Sequence, residues 1–202
     1  MAKLPPLPMP SNTLVVFALE EEAQGLFDDF QVLYTGIGKV NASYRLTRAL
    51  AAWEEKTNGK PDLVLNLGSA GSPVFKRGEV VNCTGFVQRD FDVTVFGTPP
   101  YTNAFENIPV PMRTGVRYPH LPEGVCGTGD NFATEVLKGV PWNVSDMEAF
   151  ALAKVCHFEN IPFASLKYIT DGADSKEAAE SWEETLPKTA AALLAAIAAI
   201  QG

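Results

Sequence analysis

Two uninterrupted apolar runs, Leu14-Val15-Val16-Phe17-Ala18 and Leu63-Val64-Leu65, constrain this chain more than any other feature. A run without polar alternation has no face to offer water, so each predicts a strand covered on both sides. Phe163 to Ile169 reads as the last strand, and Val32 to Thr35, Gly78 to Val87 and Gly124 to Asp130 as shorter ones. Between them lie helical patterns. From Lys39 to about Glu55 the apolar positions Val40, Tyr44, Leu46, Leu50 and Trp53 predict one face of a helix, ended by Asn58-Gly59-Lys60-Pro61. A second helix is expected from about Asp146 to Phe158, with Met147, Phe150, Ala151, Lys154 and Val155 on one face. A long Ala-rich helix is expected from about Glu177 to Ile200. Strands alternating with helices give a three-layer α/β/α domain.

At 202 residues, 46% of them hydrophobic, the chain can bury one substantial core. Residues 13–202 are read as a single domain, preceded by a proline-rich arm over residues 1–12. Residues 97–122, rich in Pro, Asn and aromatics, are expected to form loops and hairpins around a site. A net charge of −8 argues against nucleic acid or an anionic membrane as partner, but not against an uncharged nucleoside. The start lacks the apolar stretch of a signal peptide, and Thr189 to Ile200 is too short for the roughly 20 residues of a membrane span. Cys83, Cys126 and Cys156 are odd in number and scattered, which favours a reducing cytoplasm. Two histidines, His120 and His157, with no ligand-like spacing make a metal site improbable.

Three acidic segments stand far apart: Ala18-Leu19-Glu20-Glu21-Glu22, Ser145-Asp146-Met147-Glu148-Ala149 and Thr170-Asp171-Gly172-Ala173-Asp174. The first and third follow predicted strands and the second opens a predicted helix. Strand ends and helix starts converge on one crevice in α/β folds, so these carboxylates are candidates for a shared pocket. Carboxylates there can activate water, hold sugar hydroxyls and donate a proton, the tasks of glycoside cleavage. Singly, each has a plainer use: Glu20 to Glu22 as a solvated first helical turn, and Asp146 or Asp171 as a helix cap. Gly36-Ile37-Gly38 begins like a dinucleotide fingerprint, but Asn41 occupies the third glycine position. Gly68-Ser69-Ala70-Gly71 fails as a nucleophile elbow because Leu67 stands two positions before the serine. It offers backbone N–H groups and close approach to a ligand instead.

Taken in order, ALEEEA, GIGKVNAS, NLGSAGS, RDFDVTVFG, GTGDNF, SDMEAFALAKVC and TDGAD resemble the 5′-methylthioadenosine/S-adenosylhomocysteine nucleosidases of the nucleoside phosphorylase superfamily. The resemblance runs from about Leu14 to Leu194. It implies a central mixed, twisted sheet and a hydrolytic N-glycosidase that releases adenine from 5′-thio-substituted adenosines without metal or organic cofactor. By position, Glu22 matches the water-activating glutamate, and Met147 and Glu148 the pair that grips the ribose hydroxyls. Asp171 matches the aspartate that protonates the purine, and to act as an acid it needs a dry setting. Phe132 matches the aromatic that stacks on the base, and Ala133 a residue whose backbone reads the base edge. Ser69 and Gly71 match contacts near the sugar. Val93 and Phe96 match residues lining the apolar 5′ end, where the family draws on a second subunit, so a homodimer is expected.

Lys167 departs from the family: it stands where an arginine usually helps to place the water, keeping the charge but not the planar fork. The superfamily also contains enzymes that use phosphate, and these carry arginines near the first loop and before the glycine-serine turn. Here those places hold Glu20 to Glu22 and Asn66. A phosphate 4 Å from an ionised Glu22 would be repelled by about 4 kcal/mol at an effective dielectric near 20, so water is the expected nucleophile. A purine nucleoside phosphorylase, a futalosine-type hydrolase and a nucleoside-binding protein without catalysis are the alternatives.

Overall fold

The computed structural model describes residues 11–113, 116–132, 139–171 and 178–201. Among them, β1 (Thr13–Phe17), β2 (Gln31–Tyr34), β3 (Leu63–Gly71), β4 (Val80–Gln88), β5 (Met112–Arg113), β6 (Glu123–Thr128), β7 (Val144–Asp146) and β8 (Phe163–Asp171) form one sheet. The flanking helices are α1 (Glu20–Ala23), α2 (Lys39–Thr57), α3 (Ala149–Glu159) and α4 (Ala178–Gln201). Nearly all of the proline-rich arm, together with Ala133, Gly172, Ala173 and Asp174, lies outside the described residues.

β1 shows why its sequence has no polar alternation. Successive strand residues point to opposite faces. Leu14 and Val16 pack with Leu46, Leu50 and Trp53 of α2 and Leu152 of α3. Val15 and Phe17 pack on the other side with Ala190, Leu193 and Ile197 of α4. β3 and β8 divide the same way, Val64 and Phe163 facing α2 and α3, Leu65 and Leu166 facing α4. Burial of one such large side chain contributes about 1.5–3 kcal/mol, so two covered faces hold the three layers together.

The sheet is mixed. β1 lies parallel between β2 and β3, and β8 is parallel to β3 but antiparallel to β4. β6 is parallel to both β4 and β7, and β7 returns to meet β3 at the Gly71–Ser145 pair. Strands β3, β8, β4, β6 and β7 thus close on one another. That closure brings the ends of β3, β7 and β8 together.

Several local expectations are corrected. The buried stripe of α2 is Ala42, Leu46, Leu50 and Trp53, whereas Val40 and Tyr44 are 78% and 63% exposed. They sit two residues out of phase with that stripe, on the opposite side of the helix. α3 begins at Ala149 rather than Asp146, because Asp146 still belongs to β7. Its buried face is Ala149, Ala151, Leu152, Ala153 and Cys156, leaving Met147 ahead of the helix. Gly68 to Gly71 is not a turn but the continuation of β3.

Candidate active site

A cavity of about 210 Å³ opens where the chain leaves β1, β3, β7 and β8. Glu22, Ser69, Gly71, Phe132, Met147, Glu148 and Asp171 all line it. Gly71 is the junction, paired with Ser145 of β7 and with Asp171 of β8 across a ladder irregularity. Three segments far apart in sequence therefore meet at one place, as the acidic motifs suggested.

Glu22 ends up there because α1 is a single turn. The chain leaves β1 at Phe17, turns once, and points the third glutamate inward while Glu20 and Glu21 stay in solvent. Glu22 is 4% exposed. Its Oε1 accepts the Ser69 amide N–H at 2.9 Å and the Ser69 hydroxyl at 2.7 Å, and its Oε2 accepts the Leu19 amide at 3.3 Å. The backbone donor expected to meet a ligand at the glycine-serine segment is thus engaged by the protein's own carboxylate.

Glu148 follows β7 and is also buried. Its Oε1 accepts the Gly38 amide at 2.8 Å. This explains the second glycine of Gly36-Ile37-Gly38. Gly38 has φ of +94°, which disfavours any side chain, and a Cβ there would lie 3.2 Å from Asp130 Oδ1. Burial first, and then the neighbouring Asp146 charge, push the Glu148 carboxyl up to about 8.

Lys167 lies on β8, 2% exposed, with Nζ 2.8 Å from Asp146 Oδ2. Burial opposes its charge, but Asp146 and its other acidic neighbours outweigh that and hold its pKa above the usual lysine value. Burial likewise works against an ionised Asp146, yet the Lys167 ammonium and the Thr128 hydroxyl keep that carboxyl below its ordinary range. Asp146 Oδ1 accepts Thr128 Oγ1 at 2.5 Å, and Oδ2 accepts the Ala149 amide at 2.9 Å. Asp146 is not the N-cap of α3, a position held by Glu148, but from the end of β7 its carboxylate accepts the first amide of that helix, and it is also the counter-ion of Lys167. The sequence points to the helix start and not to the ion pair. The signal for the second was a lysine inside a strand buried on both faces, which needs a partner.

Asp171 closes β8 at the cavity and accepts the Thr170 hydroxyl at 2.9 Å. It is half-buried rather than in the dry setting expected, because it sits where the strand runs out at the cavity mouth. Phe132 lines the cavity with 57% of its surface exposed. Val93 and Phe96 flank and end a 3₁₀ turn over Thr94–Phe96, away from this cavity; Val93 is half-buried and Phe96 77% exposed. Arg89, missed in the sequence, lines the cavity and donates to the side-chain Oδ1 of Asn131 at 2.8 Å and to its main-chain carbonyl.

The chain matches the profile of the Phosphorylase superfamily over residues 28–201. A 5′-methylthioadenosine/S-adenosylhomocysteine nucleosidase of Anoxybacillus flavithermus is 34% identical over 179 residues, 79% of this chain and 74% of that protein. This chain belongs to that nucleosidase family. The Neisseria meningitidis family member, solved in complex with methylthio-immucillin-A, superposes with a TM-score of 0.72 at 26% identity, covering 92% of this chain and 97% of that one. The Helicobacter pylori nucleosidase, solved with 5′-methylthioadenosine in its active site, shares the fold with a TM-score of 0.76 at 24% identity over 92% and 97% of the two chains. Within the nucleosidase fold, the cavity lies at the strand ends, where open α/β sheets bind ligands.

Proposed function

We propose that this protein is a hydrolytic N-glycosidase that releases adenine from 5′-thio-substituted adenosines such as methylthioadenosine and S-adenosylhomocysteine, with water as nucleophile. One observation carries the reading: Glu22, Glu148 and Asp171, from three separate segments, line the same cavity. Breaking a ribosyl–purine bond develops positive charge on the sugar and negative charge on the departing base. Glu22 orients and deprotonates the water and stabilises the cationic sugar, joined by Glu148 where its raised carboxyl is ionised. Met147 and Glu148 hold the ribose hydroxyls by backbone and carboxylate. Asp171, on the cavity lining, gives its proton to the imidazole nitrogen of the purine, the bound base covering the carboxyl that the free protein leaves half-buried. Phe132 supplies the flat face for the base. Ser69 and Gly71 approach the sugar, and Lys167 acts from beneath.

Water is favoured over phosphate by the acidic composition of the cavity. The arginine on its lining, Arg89, has its terminal nitrogens engaged by Asn131. The reading includes a homodimer in which Val93 and Phe96 of one protomer close the 5′ end of the other's cavity. Exposed Val95 and Phe96, at 85% and 77%, support it, as do Val40 and Tyr44 on α2. The cytoplasm is the proposed location, since Cys83, Cys126 and Cys156 are buried free thiols.

The test is adenine release from methylthioadenosine in phosphate-free buffer. Release only after phosphate is added would make the protein a phosphorylase. Turnover of futalosine but not of methylthioadenosine would move it to the related hydrolases. Binding without any release would leave a nucleoside-binding protein.

A further inference from the structure

Resting on the reading of the site as a nucleosidase, we infer that Asp146 is a positioning residue of the reaction, which holds the Lys167 ammonium out of direct ion pairs with Glu22 and Glu148.

The cluster is unbalanced. Glu22, Asp146, Glu148 and Lys167 are 4%, 7%, 7% and 2% exposed, which puts three acids and one ammonium in a single water-poor region. A buried ammonium pairs with whichever carboxylate reaches it in good geometry. Here the partner is Asp146, which also lines the cavity but whose side chain is only 1% exposed and has no substrate contact assigned to it in this reading. Glu22 and Glu148 are held by uncharged donors instead: the Ser69 amide and hydroxyl, the Leu19 amide and the Gly38 amide. The ammonium nevertheless stays close. A Cβ on Gly68 would lie 3.2 Å from Glu22 Oε1 and 3.6 Å from Lys167 Nζ, so the two groups flank the same small gap.

Asp146 can hold this arrangement because it is itself fixed from several elements. Thr128 at the end of β6 donates its hydroxyl to Oδ1, and the same hydroxyl oxygen accepts the Phe150 amide at 2.9 Å. The Ala149 amide of α3 and Lys167 of β8 both reach Oδ2. The consequence is functional. A carboxylate locked to an ammonium is a poorer base and has fewer lone pairs for hydroxyls. Asp146 leaves the carboxylates at the cavity free for water and ribose while keeping a compensating charge beneath them.

Asp146→Asn preserves shape and one accepting oxygen, enough for either the Thr128 or the Ala149 hydrogen bond, and removes the charge that holds Lys167. The groups facing Glu148 are Asp146, Lys167, Glu22 and the Gly38 amide, so loss of the Asp146 charge by itself lowers the Glu148 titration and an approaching ammonium lowers it further. In Asp146→Asn, carboxyl-carbon NMR should show Glu148 titrating at lower pH than in the wild-type protein. With methylthioadenosine, kcat should fall at least about 10-fold and KM change less than about 3-fold, with the acid limb of kcat/KM displaced the same way. Asp146→Asn/Lys167→Met, lacking both charges, should return the Glu148 titration toward wild type. Thr128→Val, which loosens Asp146 without changing any charge, isolates the movement of the ammonium: Glu148 should again titrate at lower pH than in the wild-type protein. That displacement supports the inference, and a wild-type titration in Thr128→Val overturns it, whether or not Asp146→Asn folds. The NMR readout needs no turnover, so a wild-type protein that released no adenine would defeat the nucleosidase reading and leave this one decided separately.

Discussion

One oxygen of the Glu22 carboxylate accepts both polar hydrogens of Ser69, from the amide at 2.9 Å and from the hydroxyl at 2.7 Å. The pair joins the single-turn helix after β1 to the end of β3 and fixes the direction of the carboxylate. Two donors on one oxygen orient the group, and the other oxygen, which accepts only the Leu19 amide, keeps a lone pair for a water.

Glu22→Gln puts an amide where a carboxylate accepted three hydrogen bonds, and it cannot take a proton from water. The expected outcome is a kcat for adenine release at least about 10²-fold lower, with KM nearly unchanged. Asp171→Asn, which cannot donate a carboxylic proton to the base, should lose a similar factor. Steady-state kinetics on purified variants of unchanged melting temperature checks both.

Gly68→Ala would place a methyl group 3.2 Å from Glu22 Oε1 and 3.6 Å from Lys167 Nζ. The carboxylate must shift by a few tenths of an ångström, enough to misdirect a water held by it. A fall of about 10-fold or more in kcat is expected. The binding of a substrate analogue, measured by calorimetry, should weaken less than that.

The pH dependence of stability carries a signature of Glu148. Burial first, and Asp146 next, raise its carboxyl from 4.5 to about 8 in the folded protein. Between those values the native state holds a proton that the unfolded chain has released. The contribution of Glu148 to stability is therefore complete below about pH 4.5 and declines as pH rises toward 8. Glu148→Gln removes this contribution, so its melting temperature should fall less than that of the wild type between pH 5 and 8. Differential scanning calorimetry across that interval decides it.

Lys167→Met leaves Asp146 buried without its counter-ion. Removing one partner of a buried pair costs about 3–5 kcal/mol. At about 2–4 °C per kcal/mol for a chain of this size, the melting temperature should drop by roughly 6–20 °C. Asp146→Asn/Lys167→Met should recover part of that loss, which thermal denaturation of the three proteins will show.

Phe96 is 77% exposed beside Val95, an apolar patch that suits a second copy of the chain. Phe96→Asp places a charge there. Sedimentation velocity should show a shift from dimer to monomer at micromolar concentration, and the KM for methylthioadenosine should rise several-fold if the partner closes the 5′ end.

Much of the architecture was legible in the residues because burial leaves a periodic trace. Leu14 to Phe17 reads as doubly covered and is, with all of β1 buried. The end of α2 was legible too: Asn58 takes φ of +55°, and its amide returns to the Glu54 carbonyl at 2.8 Å. Periodicity alone did not separate the helical face that meets the sheet from apolar residues set aside for another surface. The spacing therefore places Val40 and Tyr44 on the wrong side. Nor did the residues reveal that Ser69 would turn its amide toward Glu22 rather than a ligand, since a hydrogen bond between positions 47 apart has no local signature.

The amino-acid order by itself determined which segments become strands and helices and which short acidic motifs stand at their ends, since backbone preference and apolar spacing act over a few residues. Only the tertiary structure decided how charge is shared among Glu22, Asp146, Glu148 and Lys167. That partition depends on low-dielectric distances set by the closure of β3, β7 and β8. Three acids look alike as a string, and burial beside one ammonium makes them different.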